Sequence, residues 1–153
     1  MKKLLYFICP TDALEAIINE ESTRDNYYYS SLGNSIVFQK NVIKQTAALI
    51  RTEKITEINF VLSDDNRIVL DAIGNQDYSG IRGLEHFYQQ IIKQKEQTET
   101  TWQTLDRQFL LLSYHLNHKI KELKRALDAS IIDPIKINGK IYQRQEQSFI
   151  DIY

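Results

Sequence analysis

The chain has 153 residues, 42% of them hydrophobic and 25% charged, which suits one ordinary globular domain over residues 1–153 with a real core. Its net charge of −1 excludes a global electrostatic pull toward nucleic acid or an anionic membrane. The single cysteine, Cys9, excludes a disulfide framework within the chain and suits a reducing compartment, so a cytoplasmic setting is expected.

In chain order, Lys3 to Cys9 is an uninterrupted apolar run that Pro10 ends. It is too short for a membrane span or a signal-peptide core and reads as a strand buried on both faces. Asp12 and Glu15 have the spacing of a capping box, and Leu14, Ile17 and Ile18 give the short helix that follows one apolar stripe. Ser22 to Asn26 reads as a loop and the aromatic run Tyr27 to Leu32 as a second strand, broken by Gly33-Asn34. Without a basic surround, the three tyrosines of that run are packing residues. Helical spacing of Val42, Ile43, Thr46, Ala47 and Ile50 predicts a helix over 38–53. A third strand is expected over Glu57 to Leu62, then a polar elbow at Ser63-Asp64-Asp65-Asn66-Arg67, then a short helix closed by Gly74.

Asp77 and Tyr78 fall in a loop placed to act as a lid. Leu84, Phe87, Tyr88, Ile91 and Ile92 mark a further helix, and the polar stretch Gln94 to Thr104 is expected to be mobile. Leu105, Phe109, Leu112, Leu116, Ile120, Leu123 and Leu127 recur at steps of four and three. Such a seam is either a core stripe or a dimer contact, and the pattern alone does not decide. The basic run Lys119 to Arg125 keeps helical period and reads as a solvated face. His115 and His118 on the same helix read as surface or interface residues, and His86 as a residue of a polar face. Past Pro134, Ile135 to Tyr142 alternates apolar and polar, as does Phe149 to Tyr153, predicting a C-terminal edge strand or hairpin. Strands that alternate with helices predict an α/β fold, a mainly parallel sheet flanked by helices.

No dinucleotide fingerprint, phosphate-binding loop or serine nucleophile elbow is present in the sequence. In an open α/β sheet, ligands bind beyond the carboxyl ends of the strands. Cys9 and Asp12, Asn34, and Ser63, Asp64, Asp65 and Arg67 all fall at such ends and are the candidate ligand-binding residues. Asp64 or Asp65 is placed to cap the helix after the elbow and Arg67 to pair with one of them.

The ordered set Cys9-Pro10-Thr11-Asp12, Gly33-Asn34, Ser63 to Arg67 and Gly139-Lys140-Ile141-Tyr142 resembles the β-class carbonic anhydrases. In that family the first strand ends in Cys-x-Asp-Ser-Arg, a later one in Gly-Asn, the next in Gly-His-x-x-Cys-Gly, and a late strand carries Gly-x-x-Tyr. The family binds zinc through two cysteines and a histidine beside an Asp-Arg pair. Here Cys9 falls at the first cysteine, Asp12 one residue beyond the aspartate, Ala13 where arginine is expected, Asp64 at the histidine and Arg67 at the second cysteine. The resemblance therefore implies a carbonic-anhydrase-like homodimer with no zinc, no cofactor and no catalytic residue, serving as a binding or regulatory protein; Arg67 near a helix start favours a small anion as ligand, against which Asp64 and Asp65 argue. From the net charge and the shortness of the N-terminal apolar run, neither nucleic-acid binding nor membrane insertion is expected. The alternatives are an active carbonic anhydrase or other enzyme with an atypical site around Cys9 and Asp64, and an interaction module of unrelated α/β fold.

Overall fold

The computed structural model describes residues 2–21, 25–99, 107–128 and 134–152. Five strands, β1 (Lys3–Ile8), β2 (Asp25–Ser30), β3 (Ile55–Ser63), β4 (Lys136–Gln143) and β5 (Ser148–Asp151), form one sheet in the order β2-β1-β3-β4-β5. The first four are parallel, and β5 runs antiparallel to β4. The helices are α1 (Leu14–Glu21), α2 (Lys40–Glu53), α3 (Arg67–Ile73), α4 (Glu85–Glu99) and α5 (Arg107–Asp128). This is the expected mainly parallel α/β sheet with a C-terminal hairpin.

Alternation along the strands divides the core in two. One face presents Leu5, Phe7, Ile58, Phe60, Leu62 and Ile141 to α2, α3, α4 and α5. Phe7 and Phe60 stack with ring centroids 4.6 Å apart, and Phe38 meets both edge-on. The other face sets Ile8, Val61 and Tyr142 against Leu14 and Ile18 of α1.

Several boundaries differ from the sequence expectation. Asp25 and Asn26 belong to β2 rather than to a loop, because Lys3 and Leu4 of β1 pair with them. Residues 94–99 continue α4, and residues 100–104 lie outside the described residues. In α5 the seam from Leu112 to Leu127 is buried against α2, α4, β3 and β4, so it is a core stripe of this chain and not a dimer contact. Leu105 lies outside the described residues. Lys119 is only 3% exposed, so the basic run is not wholly solvated. Its Nζ donates to the Ile36 carbonyl at 2.9 Å and to Glu122 at 3.3 Å, the partners a buried ammonium requires.

Strand order fixes where a crevice forms. The chain leaves β1 for β2 on one side and returns to β3 on the other, a switch point between β1 and β3. The segments after β1 and β3 flank it, and they carry Cys9 to Asp12 and Ser63 to Arg67.

Candidate functional site

Pro10 fixes a short 3-10 turn over Pro10–Asp12, and Ala13 leaves it with φ 53° in the left-handed region. That reversal turns the Asp12 side chain inward, where the residue is 2% exposed. Its Oδ2 accepts the Ser63 N–H at 2.9 Å and its Oδ1 accepts Asn66 Nδ2 at 2.9 Å. The expected capping box is therefore absent: Asp12 reaches across the switch point instead of serving α1. Burial pushes its carboxyl up to about 6, against the opposing pull of Ser63, Asn66 and Arg144. At neutral pH it is ionised, with each oxygen on a donor.

Asn66 is oriented from both ends. Its Nδ2 holds Asp12, and its Oδ1 accepts the Val69 N–H at 2.9 Å. It is thus the N-cap of α3, a role the sequence assigned to Asp64 or Asp65. Those two serve the hairpin. Asp64 donates its N–H to the Tyr142 carbonyl at 2.9 Å and accepts the Arg144 N–H at 3.3 Å. Asp65 pairs with the Arg144 side chain at 3.2 Å and takes a short hydrogen bond from Ser63 Oγ. Burial pulls Asp65 upward, but Ser63 and Arg144 outweigh it and hold its carboxyl below the usual range.

Arg144, in the turn between β4 and β5, is the cation of the elbow. It also donates to the Asp12 carbonyl at 3.0 Å and to Ser63 Oγ at 3.1 Å, and lies 5.5 Å from the centre of the Tyr142 ring. Arg67, expected to pair with an elbow aspartate, is instead exposed on the first turn of α3.

A second network adjoins the first. Cys9 is fully buried, and its Sγ accepts the Gly33 N–H at 3.1 Å and lies 3.1 Å from Thr11 Oγ1. The Gly33 carbonyl accepts a hydrogen bond from Nε2 of His115, 2.8 Å away. Gly33 has φ 63°, and a Cβ there would lie 2.9 Å from the Phe87 ring, so only glycine fits. Asn34, also fully buried, donates from Nδ2 to the Val61 carbonyl at 2.9 Å, while its Oδ1 has no partner among the described residues. His115 is fully buried on α5, not on a surface, and packs edge-on against Phe87. Burial pushes its imidazole down to about 3, so it is neutral. His118, by contrast, is half-exposed and pairs with Glu122.

The structure thus links Asp12, Ser63, Asp64 and Asp65 through Arg144, places Cys9 and Asn34 in the adjoining network, and leaves Arg67 outside. Sequence reasoning missed Asn66, Arg144 and His115. The signal for His115 was its place beside Leu116 and one turn after Leu112, on the buried stripe. Asp77 and Tyr78, in the loop expected to act as a lid, are tied by their N–H groups to the Asp71 carboxylate of α3.

Among the described residues, no three Cys, His, Asp or Glu side chains gather as a metal-binding group. No helix among them is long and apolar enough to cross a membrane.

No protein-family model and no curated protein matches the chain significantly. Solved structures do. The β-carbonic anhydrase CafD of Aspergillus fumigatus superposes with a TM-score of 0.74 at 15% identity, over 100% of this chain and 90% of that one. The β-carbonic anhydrase CafA of the same fungus gives 0.75 at 16%, over 99% and 75%. A Coccomyxa β-carbonic anhydrase in complex with acetazolamide gives 0.74 at 12%, over 98% and 71%. Likeness at such low identity concerns architecture, and the fold of this chain is that of the β-carbonic anhydrases.

Proposed function

We propose that this chain is a single-domain, metal-free, carbonic-anhydrase-like protein that binds or regulates a partner and does not hydrate CO₂. The observation that carries this is the engagement of Asp12. Zinc needs thiolate, imidazole or carboxylate lone pairs directed at one point. Here both Asp12 oxygens are held by Ser63 and Asn66, Asp65 by Arg144, and Cys9 by the Gly33 N–H. A zinc ion there would share these acceptors with the donors they already serve, beside a guanidinium that already supplies positive charge. Residues of the elbow therefore fit the metal poorly, and no step through a metal hydroxide is assigned.

The small anion expected at the elbow is replaced, in this proposal, by Asp12 itself. Its carboxylate takes the two donors, Ser63 N–H and Asn66 Nδ2, that an incoming anion would use. A homodimer and a cytoplasmic setting complete the proposal. Self-association has support in the tetrameric β-carbonic anhydrases of Sordaria macrospora, which share the fold.

Elemental analysis of purified untagged protein, with a CO₂ hydration assay on the same sample, tests the proposal. No stoichiometric metal and no activity above buffer is the expected result. Zinc near one per chain, lost together with activity in Cys9→Ser, overturns it.

A further inference from the structure

We draw no further inference here: the strongest candidate, the groove of about 580 Å³ between α2 and α5 lined by Phe38, Ile43, Ala47 and Ala126 with Lys40 and Lys44 beside them, carries nothing because nothing in the structure shows what covers it.

Discussion

Replacing Asp12 by alanine removes the acceptor for two buried donors, the Ser63 N–H and Asn66 Nδ2, each 2.9 Å from a carboxylate oxygen. A buried donor left unpaired costs about 1–3 kcal/mol, so the gross loss is roughly 2–6 kcal/mol. An opposite effect acts at neutral pH. Raising the Asp12 carboxyl from 3.8 to about 6 makes its ionised form about 3 kcal/mol less favourable in the folded chain than in the unfolded one. Alanine removes that cost along with the bonds. Asp12→Ala is therefore expected to destabilise modestly at pH 7, and by about 2 kcal/mol more at pH 4, where Asp12 of the folded wild type is protonated. Formate is the carboxylate that the substitution deletes. With a dissociation constant of about 10 mM, about 100 mM formate restores roughly 1.4 kcal/mol, or about 3–6 °C in thermal midpoint for a domain of this size. The assay is thermal unfolding of both proteins in sodium formate and in sodium chloride at matched ionic strength. Formate is expected to raise the midpoint of Asp12→Ala only. An equal rise in wild type, or a deficit of the variant against wild type no larger at pH 4 than at pH 7, would refute the view that Asp12 is the resident anion of these donors.

His115 acts with the opposite sign. Its imidazole lies at about 3 in the folded chain, so between pH 6.5 and 3 only the unfolded chain binds its proton, and its contribution to stability falls by about 1.4 kcal/mol per pH unit on acidification. Asp12 binds its proton first in the folded chain between about 6 and 3.8, so in wild type the two slopes nearly cancel there. Urea titrations from pH 7 to 4 are expected to show a shallow profile in wild type and a steeper loss in Asp12→Ala. Arg144→Gln removes the cation that holds Asp12 down, and a carbon-detected NMR titration is expected to place the Asp12 carboxyl above about 6. Gly33→Ala adds a Cβ 2.9 Å from the Phe87 ring and 3.2 Å from Ile68 at φ 63°, and is expected to cost about 2–4 kcal/mol in chemical denaturation.

The strand–helix alternation was legible because the apolar periods switch cleanly at Pro10, Gly33, Ser63 and Pro134. Position of the elbow followed from the same switches. Its internal pairing did not. Asp64, Asp65 and Asn66 are all competent caps, and local propensity ranks them nearly equal. What decides among them is the hydrogen bond from the Asp64 N–H to the Tyr142 carbonyl, which keeps the chain extended past β3 and delays the helix until Asn66 can cap it. That partner is 78 residues away. Arg144 was hidden for the same reason: in sequence it is one basic residue in a polar turn, and only the parallel pairing of β3 with β4 brings it over Ser63 and Asp65. His115 was misplaced because histidine is usually exposed, although the period of the α5 seam already put it inside.

Three aspartates, Asp12, Asp64 and Asp65, lie on the segments that Arg144 bridges. Left to that cation alone they would repel one another. The backbone divides them instead. Asp12 takes the Ser63 N–H and the Asn66 amide, Asp64 takes the Arg144 N–H, and Asp65 takes the Arg144 side chain. Each acceptor has its own donor, and Asp12, the most buried, receives the two donors whose positions are fixed most tightly, one by the end of β3 and one by the cap of α3. A cluster satisfied in this way has little negative charge left to offer an added cation, because its donors and the Arg144 guanidinium already take up much of it. The arrangement that makes the elbow rigid is therefore also what makes it a poor metal site.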